Sequence, residues 1–247
     1  MIKTQIPLVG GFKKTTTVSD HLLISAKGLH KTYKSEDNSA DAVAVHVLRG
    51  LDIDIYTGDA ICIMGSSGAG KSTLLHILGA LDRPSRGNVK FRNQELFSMS
   101  DDELSQFRNK TMGFVFQFHH LLAEFTALEN VMMPALIGGI GPRVARKEAE
   151  ELLRELGLEK RLHHRPNAMS GGEQQRVAIA RALVRSPAVI FADEPTGNLD
   201  QKTGLQVQGL LFELQRRRKL TLVAVTHDQE FAKKFPKVRV LRDGQWC

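Results

Sequence analysis

A glycine-rich loop has the clearest capacity for chemistry in this sequence. Residues 65–72 read GSSGAGKS and fit the pattern G-x-x-x-x-G-K-[ST]. An apolar run at 60–64 precedes them, and residues 73–78 predict a helix after them. In this order of strand, loop and helix, glycines let consecutive backbone N–H groups converge on phosphate oxygens. We call residues 65–72 the phosphate loop and interpret it as a nucleotide site. The flanking strand and helix disfavour the alternative, a flexible loop that binds nothing.

Nucleotide binding by this loop would use three kinds of group. The first turn of the following helix adds unpaired N–H donors and the positive end of its dipole. The lysine can reach the β- and γ-phosphates, and the final hydroxyl can bind Mg²⁺, so that Ser72 is also a predicted metal ligand. The residues predicted to bind the nucleotide here are Gly65, Ser66, Ser67, Gly68, Ala69, Gly70, Lys71, Ser72 and Thr73.

Two adjacent carboxylates, Asp193 and Glu194, follow the apolar residues 189–192. A continuous apolar run suits a central parallel strand that is buried on both faces. Acids at its end are costly unless a cation or a functional partner is present. Asp193 is therefore predicted to anchor Mg²⁺, and Glu194 to act as general base on the attacking water. The alternative is a pair of acids that cap a strand at the surface; the phosphate loop favours the catalytic interpretation.

A second helix start with anion-binding character lies at Ser170, Gly171, Gly172 and Glu173, before the basic helix 175–182. Its serine and glycines expose backbone donors at the positive end of the helix dipole. Two such helix ends in one protein suggest two surfaces that grip one nucleotide. Considered alone, this segment would be interpreted as a serine N-cap with a glycine-rich turn.

Composition and charge define the broad class of protein. The chain has 247 residues, 42% hydrophobic and 25% charged, enough for one large domain or two small ones. No apolar run approaches the ~20 residues of a membrane-spanning helix. The net charge of +7 favours anionic partners, which include nucleotides, acidic lipid surfaces and nucleic acid. Two cysteines, with Cys62 in an expected buried strand and Cys247 at the chain end, suit a reducing cytoplasm.

The order of predicted elements is that of an α/β chain with a helical insertion. Residues 1–20 are expected to form a mobile tail and residues 35–41 a hydrophilic loop. Strands are predicted at 22–26, 43–48, 51–56, 88–92, 112–117, 188–192, 220–225 and 238–241. Helices are predicted at 101–108, 127–136, 143–156, 171–185, 202–218 and 228–235. Between residues 126 and 159 the pattern is helical only, which predicts a second, smaller lobe.

The order of motifs resembles ABC-transporter ATPase domains from Leu22 to Gly244. The motifs are the phosphate loop, Gln117, residues 170–172, the acids at 193–194, Asn198-Leu199-Asp200 and His227. The resemblance implies a P-loop ATPase fold over residues 21–247, with ATP and Mg²⁺ as cofactors. It further implies a RecA-like core with an antiparallel β subdomain, made of residues 21–125 and 171–247, and a helical signature subdomain at about 126–170.

The same resemblance implies a role for each matching residue. Tyr33 would stack on adenine, and Gln117 would bind Mg²⁺ and sense the attacking water. Residues 170–173 would contact the γ-phosphate of the opposite protomer in a homodimer that encloses two ATP molecules. Asp200 would couple the two sites, and His227 would hold the γ-phosphate and position water. Met169 and Glu173 replace the usual leucine and glutamine, and neither change removes a phosphate donor.

A narrower resemblance concerns the branch of the family. Residues 192–200, ADEPTGNLD, are similar to those of lipoprotein exporters, macrolide-type exporters and the cell-division ATPase. Residues 117–122, 125–131 and 163–166 resemble the lipoprotein-releasing ATPases within that branch. This implies a peripheral subunit on the cytoplasmic face of the bacterial inner membrane. Integral inner-membrane transport subunits would dock near Gln117–Leu122, with no direct contact to cargo or nucleic acid.

Alternatives within and outside this branch stay open from the sequence. The chain could drive an antibiotic or peptide exporter or a cell-division complex. It could also be a nucleic-acid clamp, although no long insertion of the kind those proteins carry is visible between residues 117 and 170. The pairs His119-His120 and His163-His164 are poor metal sites because neighbouring rings rarely face one ion. The basic run at 216–219 is interpreted as a solvated helix end.

Overall fold

The computed structural model describes residues 21–34 and 44–247. The expected tail at 1–20 lies outside the described residues, and so does the expected loop at 35–41. In chain order the strands are β1 (Leu22–Lys34), β2 (Ala44–Tyr56), β3 (Ala60–Met64), β4 (Arg86–Phe91), β5 (Gln94–Glu95), β6 (Met112–Phe116), β7 (Val189–Asp193), β8 (Thr221–Thr226), β9 (Lys237–Arg242) and β10 (Gln245–Trp246). The α-helices are α1 (Lys71–Leu78), α2 (Asp101–Thr111), α3 (Ala127–Ile137), α4 (Pro142–Glu155), α5 (Gly171–Leu183), α6 (Gln201–Arg218) and α7 (Gln229–Ala232).

A six-stranded sheet in the order β10-β9-β3-β8-β7-β6 carries the predicted site residues. Strands β9, β3, β8, β7 and β6 are parallel, and β10 pairs antiparallel with β9. The central strands β3, β7 and β8 are almost wholly buried, which confirms the interpretation of their apolar runs. Because parallel strands end at the same edge, the phosphate loop, Asp193 and Thr226 meet there.

The second sheet is antiparallel, in the order β2-β1-β4-β5. Its apolar faces and the helix α1 share one core cluster with β3 and β8, so this sheet covers the phosphate loop from one side. The sequence prediction of two strands at 43–48 and 51–56 is wrong, since β2 runs unbroken through Gly50 at φ 82°. The predicted end of β1 at residue 26 is also too early, because Gly28 at φ 57° lets the strand bend through an irregular register and continue.

Helices α3 and α4 form the predicted helical insertion. The buried residues of α4 are Ala145, Ala149, Leu152 and Leu153, the helical spacing that the sequence indicates. Both helices pack on α5, which also contacts β6 and α6. The core is therefore continuous from the insertion to the parallel sheet. The division into subdomains at residues 126 and 170 stays a prediction.

Several other element boundaries differ from the sequence predictions, most of them by one to three residues. The sequence predicts a helix over 228–235, whereas α7 is one turn, Gln229–Ala232, with Asp228 as its N-cap and Lys233 as its C-cap. The two-residue strands β5 and β10 are not predicted from the sequence, since so short a pairing carries no periodic signal.

In the described part of the chain, no helix is both long and apolar enough to cross a bilayer.

Cysteine reactivity tests this burial pattern. Cys62 lies in β3 and burial raises the pKa of its thiol to about 12, whereas Cys247 is exposed. At pH 8 the fraction of Cys62 present as thiolate would be on the order of 10⁻⁴. We therefore expect a thiol reagent at pH 8 to modify one cysteine in the folded protein and two in denaturant. The Cys247→Ser variant should show none when folded, and rapid modification of folded Cys62 would contradict the assignment.

Candidate functional site

The phosphate loop begins where β3 ends and leads directly into α1. Helix α1 has Gly70 as its N-cap, at φ 98° and without a side-chain cap, so the backbone donors of its first turn face outward. A Cβ at Gly65 would lie 2.3 Å from the carbonyl oxygen of Leu241, and a Cβ at Gly70 2.9 Å from Leu48 Cδ2. Only glycine fits these two positions, and the resulting concave backbone suits a bound phosphate chain.

Lys71 is the cation of this site. Its side chain is buried, and Nζ donates a hydrogen bond of 2.9 Å to the carbonyl oxygen of Ser66. The same Nζ lies 4.0 Å from Glu194 Oε1. A buried ammonium is stable only beside anionic or strongly polar groups, and here it lines a cavity of about 960 Å³ that opens over the loop. The arrangement therefore fits a polyphosphate in that cavity.

Ser72 and Asp193 form the predicted metal-binding pair. Ser72 Oγ donates a hydrogen bond of 3.0 Å to Asp193 Oδ1. Burial raises the pKa of Asp193 above its ordinary value, and the bond from Ser72 partly offsets this effect. A hydroxyl and a carboxylate are hard oxygen ligands of the kind Mg²⁺ prefers, usually with phosphate oxygens and water completing the shell. These two residues would hold Mg²⁺, which would neutralise charge on the phosphates.

Glu194 is held by two neighbours at the end of β8. Thr226 Oγ1 donates a hydrogen bond of 2.9 Å to Glu194 Oε2. His227 Nδ1 lies 2.8 Å from Glu194 Oε1, and because an ionised carboxylate only accepts, this nitrogen would carry the proton. Glu194 itself adopts φ 44°, a conformation that a non-glycine residue rarely takes and that turns its side chain into the cavity.

Gln117 lies directly after β6 and lines the same cavity. Its Nε2 donates to Asn198 Oδ1 at 2.9 Å, and Asn198 Nδ2 donates to the carbonyl oxygen of Gln117 at 3.2 Å. This reciprocal pair joins the segment after β6 to the segment after β7. The cavity thus brings together the predicted residues Lys71, Ser72, Gln117, Asp193, Glu194 and His227, with most of the phosphate loop.

Sequence reasoning missed two kinds of site residue. Thr226 is an ordinary β-branched strand residue by type, and its only sequence signal is its place before His227. Phe116 and His120 line the cavity from the segment around Gln117, where aromatic residues are equally typical of a core. Contacts across the sheet identify these residues.

Tyr33 does not line this cavity. Its hydroxyl donates a hydrogen bond of 2.8 Å to Asp82, and Lys31 Nζ lies 4.7 Å from the ring centroid. Burial, followed by the bond to Asp82, raises the pKa of the Tyr33 hydroxyl. The tyrosine is therefore fixed by Asp82, which follows the C-terminal end of α1. Its stacking on adenine stays a prediction.

The predicted signature residues lie elsewhere. The cavity lining includes none of Ser170, Gly171, Gly172, Glu173 and Asp200. Ser170 is confirmed as the N-cap of α5, in a reciprocal capping box in which Glu173 accepts from the Ser170 N–H at 2.9 Å. Asp200 caps α6 in a similar way, by accepting from the Thr203 N–H.

The departure at Glu173 has a structural explanation. Arg161 Nε donates a hydrogen bond of 2.7 Å to Glu173 Oε1, and this bond is the first cause that lowers the pKa of the glutamate. The second oxygen closes the capping box with Ser170. The additional negative charge is therefore balanced within the chain, and the backbone donors of Gly171 and Gly172 are kept. Met169 is buried in the core and retains the apolar contact.

The groups of this site define the chain as a P-loop ATPase. They are backbone amides for phosphate, a Ser72–Asp193 pair for Mg²⁺ and a carboxylate near the lysine.

Comparison with known proteins gives the family. The protein-family model described as ABC transporter matches residues 48–197 of this chain. A protein of Bdellovibrio bacteriovorus, named lipoprotein-releasing system ATP-binding protein LolD, is 56% identical over 221 residues, covering 90% of this chain and 98% of its own. A protein of the same name from Syntrophus aciditrophicus is 49% identical, with 90% and 98% covered.

Solved structures agree with this result. A dimeric structure of the ATP-binding cassette MJ0796, in a post-hydrolysis state bound to ADP and Pi, has a TM-score of 0.82 at 40% identity and covers 91% of this chain and 96% of its own. The chain belongs to the ABC transporter family. It is an ATP-binding subunit that hydrolyses ATP and uses Mg²⁺, and the donor set of the cavity fits both ligands.

The contact between Thr226 and Glu194 leads to a prediction. Thr226→Val keeps the shape of the side chain but removes the donor that orients the carboxylate. A hydrogen bond to a charged group is worth about 1.5–3 kcal/mol, so we expect kcat for ATP hydrolysis to fall by roughly tenfold or more, with little change in KM.

Thr221→Val supplies a matched control. Thr221 is on the same strand and equally buried, but its hydroxyl accepts from the Gly58 N–H, away from the cavity. This variant should lose stability without the same loss of kcat. Equal kcat losses in both variants would show that Thr226 acts only through folding.

Proposed function

We propose that this chain is the ATPase subunit of a bacterial inner-membrane complex that releases lipoproteins for transfer to a periplasmic carrier. The observation that carries the proposal is the identity of 56% and 49%, over nearly the whole length, to two proteins named as ATP-binding subunits of lipoprotein-releasing systems. The segments at 117–122, 125–131 and 163–166 support the same branch. An antibiotic or peptide exporter, or a cell-division complex, is the alternative within the family.

The proposed chemistry is positioning and electrostatics around one water molecule. Glu194 accepts the proton of the attacking water, while Thr226 and His227 keep its carboxylate oriented. Lys71 and the loop amides bind the phosphates, and Ser72 and Asp193 hold Mg²⁺, with Gln117 as a further ligand or water sensor. His227 would also hold the γ-phosphate of bound ATP. Tyr33 would hold the adenine.

We further propose that two copies of the chain enclose two ATP molecules. The support is that the start of α5 has backbone donors suited to phosphate, yet Ser170, Gly171 and Gly172 do not line the cavity of their own chain. A second copy in the opposite orientation would supply them to the γ-phosphate. Asp200, at the start of α6, would lie on the same face. The solved structure of MJ0796 is described as dimeric.

A Glu194→Gln variant tests the dimer. Loss of the general base should stall hydrolysis but leave ATP binding intact, so the variant should accumulate as an ATP-bound dimer in light scattering. In that background, Ser170→Ala removes a donor and a helix cap and should weaken the dimer.

The control is Ser100→Ala in the same background. Ser100 closes an equivalent capping box with Glu103 at the start of α2, so its loss should cost a similar free energy of unfolding, about 1 kcal/mol. It should leave the dimer unchanged. A Glu194→Gln variant that stays monomeric at saturating ATP would refute the two-copy mechanism.

A groove beside the phosphate cavity is the proposed docking site for the membrane subunits. Its volume is about 410 Å³ and it lies between α2, β6, α3 and α5. Phe116 and His120 line both the groove and the phosphate cavity, so an occupant of one contacts the wall of the other. Ile137, 72% exposed, gives the groove an apolar rim, whereas the exposed Phe118 lines the phosphate cavity. Integral inner-membrane subunits of the LolC/LolE type would dock here, with the chain peripheral at the cytoplasmic face.

Co-purification from detergent-solubilised membranes tests the proposed function. We expect the chain to retain integral membrane subunits, identified by mass spectrometry as those of a lipoprotein-releasing system. The complex in vesicles should then release a lipidated protein to a soluble carrier only with ATP. Drug-exporter or cell-division subunits in the same position would contradict lipoprotein release.

The docking site has its own variant and control. Ile137→Ser should reduce the yield of membrane subunits, because it removes an exposed apolar side chain that lines the groove and not the phosphate cavity. Val144→Ser changes an exposed apolar residue of α4 that is outside the groove and should not reduce the yield.

A further inference from the structure

The groove between α2, β6, α3 and α5 has an unbalanced positive charge. A second cavity of about 430 Å³ adjoins it and shares Arg185, Ile137 and Asn109 with it. Together the two are lined by the cationic residues Arg108, Lys110, Arg181 and Arg185. Among the residues that the structure describes, the lining contains no aspartate or glutamate. The groove therefore combines an apolar floor with four cationic side chains and no acid among the described residues of its lining.

Two of these arginines already have hydrogen-bond partners, although neutral ones. Arg108 Nη1 donates to the carbonyl oxygen of Ala80 at 2.9 Å. Arg181 donates to the carbonyl oxygens of His119 and His120 at 2.6 and 2.5 Å, and so fixes the backbone after Gln117. Carbonyl groups satisfy the donors but leave the charges in place.

Arg185 is different, because one of its donors lacks a partner. Its Nε is buried and, within residues 21–34 and 44–247, has no hydrogen-bond partner. The guanidinium lies against Gly138, where a Cβ would come within 3.1 Å of Arg185 Cζ and 2.6 Å of Asn109 Oδ1. The absence of a side chain at this position thus makes room for the arginine. Because this Nε has almost no exposed surface, a ligand in the groove would reach the guanidinium through its terminal N–H groups, whose charge no aspartate or glutamate of the described lining balances.

The chemistry of that ligand follows from the lining. A guanidinium presents parallel N–H donors that match the two oxygens of a carboxylate better than any neutral acceptor. Around it, Leu81, Phe114 and Ile137 offer apolar surface, and the exposed Ile137 and Leu81 form its rim. A free anion would not use that surface, whereas a peptide segment with apolar side chains and one acid would use both.

We propose that the segment of the membrane subunit that docks in this groove is apolar and places one aspartate or glutamate on Arg185. This inference rests on the proposed function, since it assumes that a membrane subunit occupies the groove. The carboxylate accepts from the terminal N–H groups of the guanidinium and balances the groove's charge. The apolar residues of the segment cover Phe114 and Ile137. The acid thereby determines the position and orientation of the segment beside Phe116 and His120, the residues shared with the phosphate cavity.

Zero-length cross-linking of the intact complex tests this contact. Arg185→Lys keeps the positive charge and adds a primary amine, which a carbodiimide joins to a contacting carboxylate as an amide. We expect a covalent product between the chain and the membrane subunit, in which mass spectrometry finds residue 185 joined to an aspartate or glutamate of that subunit. Wild type gives the background from Lys110, and Arg154→Lys on the exposed face of α4 gives the background of a new surface amine.

The outcomes separate the inference from the proposed function. If wild type retains no membrane subunit, the proposed function fails. If wild type retains it but Arg185→Lys yields no more product than wild type and Arg154→Lys, the carboxylate contact is refuted. A product with a residue outside the groove-bound segment would also refute it.

Charge reversal provides the second measurement. Arg185→Glu should reduce the membrane subunits retained by roughly tenfold or more, because like charges would face each other in a desolvated contact. Arg154→Glu changes the net charge equally and should retain them. Arg185 could instead act only on stability, because it also lies at the C-terminal end of α3, where a cation interacts favourably with the helix dipole. The measurement distinguishes this structural role from the proposed contact. In that case Arg185→Glu would lower the melting temperature while the complex kept its membrane subunits, and the proposal would be overturned.

Discussion

The register of three parallel strands is the constraint on which the site depends. Met64 of β3 pairs with Thr226 of β8, and Asp193 of β7 pairs with Val225 one position earlier. The segments that follow these strands therefore begin side by side, at the same edge of the sheet. Lysine, carboxylates and histidine come from distant parts of the chain and meet within a few ångströms. A slip by one residue would turn the side chains of a strand to the opposite face and separate them.

How much of this could be read from the sequence depends on how local each signal is. The phosphate loop, the buried strands and the Ser170 cap follow from short patterns, and the structure confirms the local geometry of each. The unbroken β2 was missed because Gly50 resembles a chain break but acts as a bend within a paired strand. Contacts such as Thr226 with Glu194 join residues 32 positions apart, and no pattern in the sequence specifies them.

Helix α5 connects the two functional surfaces that we propose. It begins at the Ser170 turn and, after 13 residues and about 20 Å, ends near the groove. On the way Arg181 fixes the backbone of His119 and His120, and the buried Gln175 donates to the carbonyl oxygens of Phe116 and Pro195. The helix is thus attached by side chains to the segments after both β6 and β7. A rigid element with attachments at each end moves as one body when either end is displaced.

Phe116 and His120 are the wall that the phosphate cavity and the groove have in common, with ring centroids 5.2 Å apart. Thermodynamic linkage makes the effect of such a shared wall reciprocal for binding. If a docked membrane segment changes the affinity for ATP by some factor, ATP changes the affinity for that segment by the same factor. Binding of ATP and binding of the membrane subunits are then thermodynamically coupled. The cellular ATP concentration would itself regulate how tightly the subunits bind each other.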